Sequence, residues 1–394
     1  MKRKITVFLS LLVILTLLLS ACSSNKSTTG SQSNGQSGNF ALEYKSKKKD
    51  GFIIGFSNGY FGNTWRSQYV DGVKRVTAEL KKEGIVKEVN VQNTNGVPAQ
   101  IAAVESFINS GVDAIVINPV SSSSLAPVVA KAISKGILVV VSESGADYPN
   151  TVVVGGDNAG FWRIQTKWLA EQLKGKGDIV EINGIAGNVS DELRTRESKD
   201  ILKKYPDIKV LGSAPGGWDP TKGQQAMSNF LSTHSKIDGV LVQDQMAGGV
   251  IQAFEAAKRP LPVMTGDFTY GFLRMWKDKY PDLNTMTIPY NTGIGANSIR
   301  VAVKLLQGNK LKPESLSPNP LKKELKNTII STVPYVITKE AQPDAPWMEG
   351  EDSKIKAIGL DEAVKMGEGK GESIAVESIW TEEEVDQMFN KPAN

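Results

Sequence analysis

The chain has 394 residues, 40% of them hydrophobic and 22% charged, an ordinary globular composition with length enough for about two lobes. Its formal net charge of +4 falls to +1 once Lys2, Arg3 and Lys4 are discounted, so no field steers the body toward nucleic acid or anionic lipid. With one histidine, His234, and one cysteine, Cys22, a catalytic triad or zinc site would have to be built around a single imidazole with no partnered nucleophile near it. His234 reads instead as a residue at the C-terminal end of a helix, and no metal or cofactor is expected.

In chain order, residues 1–4 carry three positive charges, residues 5–19 form an almost unbroken apolar run, and Leu19, Ser20 and Ala21 lead to Cys22. A basic end, an apolar segment of this length and a small-residue close read as a secretory signal rather than a membrane span. The close resembles the bacterial lipobox, in which the Cys is diacylated and becomes the new N-terminus. Two acyl chains hold a protein stably on a membrane. The resemblance implies a signal peptide over residues 1–21 and a mature protein anchored through Cys22 to the outer face of the cell membrane. Residues 22–50 then form an acylated tether: 23–38 are Ser, Gly, Asn, Gln and Thr with almost no apolar side chain, and 45–49 are a short basic run.

From Gly51 onward, strands and helices alternate. Short β-branched runs at 52–56, 86–92, 114–118 and 137–141 are separated by amphipathic stretches at 65–82, 99–109 and 125–135. After a less regular segment, 142–156, the alternation resumes. Helical stretches at 162–173, 192–204, 221–233, 250–257 and 295–306 are interleaved with strands at 179–182, 208–212, 239–242 and 262–265. Continuous β-branched runs joined by helices argue parallel sheets covered on both faces. The predicted fold is α/β, with two doubly wound parallel-sheet lobes. Right-handed crossovers bring the loops after each strand to one edge of each sheet, where such folds bind ligands.

Those loops carry Asn58, Tyr60, Phe61, Trp65 and Arg66, then Ser121, Glu143 and Arg194. Trp218, Asp219, Gln243, Asp267 and Tyr290 follow. Planar acid, amide and guanidinium groups grip vicinal hydroxyls with paired hydrogen bonds, and the C–H face of a sugar lies flat on an indole or phenol ring. The mixture suits a neutral polyol. Ser123, Asp157, Asp191 and Thr221, each just before a helical run, read as helix N-caps.

In this order the loops resemble the sugar-binding proteins of bacterial ATP-dependent (ABC) importers, the ribose-binding-protein type of periplasmic binding protein. The stretches that carry the resemblance are 57–66, 111–119, 155–158, 181–187, 219–223 and 244–247. The resemblance implies ligand contacts at Asn58, Tyr60, Phe61, Glu143, Arg194, Trp218, Gln243 and Asp267, with Trp65, Arg66 and Asp219 lining the cleft. Three positions depart from the family pattern: Ser121 replaces an acid, Gln243 an Asn, and Tyr290 the Gln of ribose binders. Ribose itself is therefore not assumed.

The resemblance also implies a type I periplasmic-binding-protein fold closing on its ligand about a three-strand hinge, with crossings near 141–144, 288–291 and within 317–330. The lobes are expected at 51–142 plus 290–320 and at 143–289 plus 321–340. Residues 341–394 are an extension without an assigned role, expected to pack against one lobe. The function implied is a monomeric, non-enzymatic solute-binding protein that delivers a small sugar or polyol to an ABC importer permease. A ligand-presenting sensor subunit for a membrane kinase or chemoreceptor shares every one of these features. A carbohydrate-active enzyme using Glu143 and Asp267 is the weaker alternative, because nothing in the sequence fixes the spacing of those carboxylates. A sugar-sensing repressor fails, since residues 1–49 read as signal and tether rather than a DNA-binding helix-turn-helix.

Overall fold

A computed structural model describes residues 39–44 and 48–390. The segment read as a signal peptide, Cys22 and most of the expected tether lie outside these residues. The chain begins with β1 (Phe52–Asn58), α1 (Thr64–Lys82), β2 (Val86–Asn93), α2 (Val97–Ser110), β3 (Ala114–Asn118), α3 (Ser122–Ser134), β4 (Leu138–Glu143) and β5 (Val152–Gly156). Next come α4 (Asn158–Gln172), β6 (Lys176–Asn183), α5 (Val189–Leu202), β7 (Asp207–Pro215) and α6 (Pro220–Thr233). They are followed by β8 (Gly239–Val242), α7 (Ala247–Ala256), β9 (Val263–Thr265), α8 (Tyr270–Asp278) and β10 (Thr285–Met286). The chain then returns through α9 (Ile294–Leu306), β11 (Lys310–Leu311), β12 (Ser317–Pro318) and β13 (Lys326–Ser331). It ends with β14 (Tyr335–Thr338), β15 (Lys356–Gly359), α10 (Leu360–Met366), α11 (Glu382–Gln387) and β16 (Phe389–Asn390).

Two main sheets result, as the alternation predicts. The first has the order β12-β13-β5-β4-β3-β1-β2 and the second β10-β9-β8-β6-β7. Every pairing is parallel except β12 with β13. The period of two along each strand splits its side chains between two cores. In the first sheet Ala114, Val116, Leu138 and Val140 face the core shared with α1 and α9, while Ile115, Ile117, Val139 and Val141 face α2 and α3. In the second, Ile179 and Leu241 face α4, while Val180, Ile182, Val240 and Val242 face α6 and α7. Both faces are dry, which is why these strands read as continuous apolar runs.

The lobe boundaries differ from the sequence reading. β5 lies inside the stretch read as irregular and, with β13, belongs to the first sheet rather than the second. Val152 and Val154 complete the first sheet's core, and β13 pairs with β5 through Thr328–Ser331. The chain therefore crosses between sheets after Gly156, between Met286 and Ile294, and between Ser331 and Tyr335. Helix α8, absent from the sequence reading, buries Phe272, Leu273 and Trp276 in the second lobe. The extension does not settle on one lobe. β15 extends the second lobe by pairing with β14, which bridges to Thr287, whereas β16 pairs with β11 and α11 packs on α9 of the first.

Candidate functional site

The strand ends of the two sheets face each other across a cleft, and each side chain there is set by a local device. Asn63 caps α1, accepting from the Arg66 backbone N–H at 2.9 Å, which starts the helix so that Trp65 and Arg66 project inward. Its Nδ2 donates across the cleft to the Trp218 carbonyl at 3.3 Å, and Thr64 Oγ1 donates to Gln245 Oε1 at 2.6 Å. Glu143, Trp218 and Gln245 all adopt the left-handed backbone region, with φ of 62°, 55° and 69°. That conformation costs a non-glycine residue energy and persists only where surrounding contacts hold it. Trp218 is held: its Nε1 donates to Gln243 Oε1 at 2.9 Å, and its ring occupies the space a Cβ on Gly184 would need.

Two charge clusters meet at the centre. Glu143 accepts at Oε2 from Arg66 Nη2 (3.2 Å), Asn118 Nδ2 (3.2 Å) and Ser144 Oγ (2.7 Å), and at Oε1 from Ser190 Oγ (3.0 Å) and the Tyr290 hydroxyl (3.3 Å). Burial alone would push its pKa up, but Arg66, the Ser144 hydroxyl and Arg194 hold it below the ordinary carboxylate value. Arg194 donates to Asn158 Oδ1 at 2.8 Å and Asp244 Oδ1 at 2.5 Å, with its guanidinium over the rings of Phe161 and Tyr290 at 4.6 and 4.7 Å. Its burial opposes the charge, yet Asp244, Tyr290 and Glu143 keep it more firmly protonated than usual. Tyr290 is itself buried, stays protonated well above the ordinary phenol range, and accepts Trp65 Nε1–H at its carbonyl (2.9 Å).

These groups enclose a cavity of about 20 Å³ lined by Asn63, Trp65, Arg66, Glu143, Arg194, Trp218, Asp244 and Tyr290. An open chamber of about 540 Å³ adjoins it, walled by Thr64, Gln245, Asp267, Thr269 and Glu372 among others. Of the residues singled out from the sequence, Trp65, Arg66, Glu143, Arg194, Trp218 and Tyr290 converge on the small cavity. Asp267 lies in the chamber, Gln243 supports Trp218, and Asn58 is buried at the end of β1, donating to Asn93. Tyr60 is half-buried and Phe61 exposed, and neither lines the cavity or the chamber.

Ser121 and Asp219 cap α3 and α6 and line neither space. They take the capping positions expected of Ser123 and Thr221, while Asn188 rather than Asp191 caps α5; Asp157 caps α4 as expected. Asp191 is instead a buried acceptor for Gly184 N–H and Gln243 Nε2. Asn63 and Asp244 adjoin candidates in the same loops, and Asn158 ends the 155–158 stretch without being singled out as a contact; only Phe161, inside α4, carries no loop signal.

Several buried polar atoms at the cleft have no hydrogen-bond partner among the described residues: Asn58 Oδ1, Arg66 Nη1, Gln245 Nε2 and Asp267 Oδ1. Such atoms are costly unless something completes them. No group of three or more metal-ligating side chains occurs among the described residues. Closely opposed strand ends, aromatic walls and unpaired donors and acceptors describe a binding cleft.

Residues 54–310 match the model of the periplasmic binding protein domain family, well over half of the chain. The chain belongs to this family. Its relatives include the xylitol-binding protein of Mycolicibacterium smegmatis, 36% identical over 43% of this chain but only 50% of that protein's length. The ribose import binding protein of Bacillus subtilis is 28% identical over 81% of this chain and 98% of its own. Among solved structures, an ABC transporter solute binding protein from Thermobispora bispora superposes with a TM-score of 0.72 at 23% identity, covering 85% of this chain and 94% of that one. The α/β fold with two parallel sheets is thus that of the type I periplasmic binding proteins.

Proposed function

We propose that this protein is a solute-binding protein, anchored outside the cytoplasm through lipidated Cys22, that captures a small sugar or polyol by lobe closure and delivers it to an ABC importer permease. The observation that carries this reading is the convergence of Trp65, Trp218 and Tyr290 with the Arg66–Glu143 and Arg194–Asp244 pairs on one cavity drawn from both sheets. Aromatic faces take the C–H surfaces of a polyol, and the fixed polar groups grip its hydroxyls. A space of about 20 Å³ holds little more than one water, so a ligand enters by parting the lobes and replaces side-chain contacts as they close. The similarity to xylitol- and ribose-binding relatives supports a ligand of this size class. The relatives named as xylitol- and ribose-binding proteins support reading this chain as a binder rather than an enzyme. No helix among the described residues is long and apolar enough to cross a membrane; the reading of an anchor rests on the residues that lead to Cys22.

A thermal-shift screen against pentitols, pentoses, hexoses and inositols tests the ligand class. A true ligand at a hundredfold excess over its Kd stabilises by about 2.7 kcal/mol. A cooperative melt that no member of the panel shifts would overturn the sugar reading. The anchor is tested separately, by the mass increase of two acyl chains on the cell-derived protein and its loss in Cys22→Ser.

A further inference from the structure

The C-terminal extension crosses from one lobe to the other, making a fourth connection beside the three hinge crossings. Its first part is fastened to the second lobe. Trp347 is buried against α4, and Glu351 accepts from Arg163 (2.8 and 2.5 Å) and Lys167 (2.9 Å). α10 packs on α8, and the chain then runs along the start of that helix, where Tyr270 N–H donates to the Ile374 carbonyl and Gly271 N–H to that of Glu372, both at 2.8 Å. Its last part is fastened to the first lobe. Glu377 pairs with Arg75 of α1, Ser378 N–H donates to Asn291 Oδ1 (3.0 Å) and Trp380 N–H to Asn297 Oδ1 (2.9 Å). The carbonyl of Ser378 lies against Gly293, where a Cβ would overlap it. Beyond these, Lys304 of α9 holds Glu382 and Asp386 of α11.

The transfer happens at one residue. Ala375 forms an antiparallel bridge with Thr269 of the second lobe, and its N–H and C=O are both bonded to the Gln68 side-chain amide of the first, at 2.9 and 3.0 Å. Gln68 and Ala375 are buried. Parting the lobes at this edge therefore breaks either the Gln68 pair or the Thr269 bridge, or stretches the few residues between Ala375 and Trp380.

We infer that residues 368–390 act as an interlobe strap that restrains opening, so that the lobes sit close together without ligand and separate less widely than the three hinge crossings alone would allow. This goes beyond the ligand reading and depends only on the lobes being able to hinge.

The test measures lobe separation in the ligand-free full chain carrying Cys22→Ser, with spin labels at Ser123→Cys on the first lobe's rim and Lys222→Cys on the second's. Pulsed dipolar spectroscopy should give a narrow, short distance distribution. Gln68→Ala combined with Glu377→Ala removes both lobe-one fastenings nearest the crossing while leaving the hydrophobic anchors Val385 and Phe389 in place. The distribution should then broaden toward longer separations. Truncation after Gly371 should broaden it further, with circular dichroism reporting whether that variant folds. An unchanged distribution in the folded double variant overturns the strap, as does a broad, open distribution in the parent. Neither outcome depends on a sugar binding, so a failed ligand screen leaves this result standing.

Discussion

Glu143, at the end of β4, and Asp267, after β9, are both buried acids at strand ends, yet their surroundings drive them in opposite directions. Glu143 has five side-chain partners and is held below the ordinary carboxylate range. Asp267 accepts from the Ala247 N–H at Oδ2, leaves Oδ1 unpartnered, and is pushed up to about 7 by burial and the nearby charge of Asp244. Burial is common to both; the neighbours decide the charge. The first lobe thus supplies a finished anion that ties Arg66, Ser190 and Tyr290 together, while the second keeps an acid, beside the open chamber, with one buried oxygen unpartnered.

Glu143→Ala should break this comparison most severely. It leaves Arg66 buried without its counter-charge and releases Ser190 and Tyr290, at a cost of about 3–5 kcal/mol, read as a drop in the midpoint of chemical denaturation. In the parent, the stability Glu143 contributes is present above its unfolded pKa near 4.5 and is lost as pH falls through its lower folded value.

Asp267 should show the opposite sign. Because its folded pKa is raised, its contribution is complete below about 3.8 and is lost as pH rises through about 7. The parent should lose on the order of 2 kcal/mol from this group between pH 5 and pH 8, at about 1.4 kcal/mol per pKa unit discounted for relaxation. Asp267→Asn keeps an acceptor for Ala247 N–H and should remove that dependence. Denaturation midpoints at the two pH values, compared between parent and variant, decide it; parallel slopes would mean Asp267 stays ionised.

Gly184→Ala sharpens the contrast from the aromatic side. A methyl there meets the Trp218 indole, so the ring must shift from Gln243 at a cost of about 1–3 kcal/mol, with ligand affinity reduced in calorimetry. The smallest effect is expected from Asn63→Asp. The cap on α1 survives, but the Nδ2 donation to the Trp218 carbonyl is lost, about 1 kcal/mol of interlobe contact. Asn63→Ala loses the cap as well, by about 1 kcal/mol more, so the difference in Tm between the two variants separates capping from lobe contact.

What the linear sequence determined here is what contiguous residues control. The β-branched runs at 114–118 and 239–242 coincide with β3 and β8, because a strand buried on both faces needs apolar side chains at every position. The order of strand and loop put Trp65, Arg66, Glu143, Arg194, Trp218 and Tyr290 at strand ends, and these six meet in one cavity. The tertiary structure alone decided the rest. Glu143's partners come from residues 66, 118, 144, 190 and 290, and no local pattern shows that they gather around one carboxylate. β5 lies in the segment 142–156 that reads as irregular, and only its pairing with β4 and β13 on either side places it in the first sheet. The extension has little periodicity of its own: its bonds at Ala375, Ser378 and Trp380 are single backbone groups completed by Gln68, Asn291 and Asn297, residues of distant elements. Periodicity reports burial against a face, whereas these contacts arise only once elements distant in the chain are brought together.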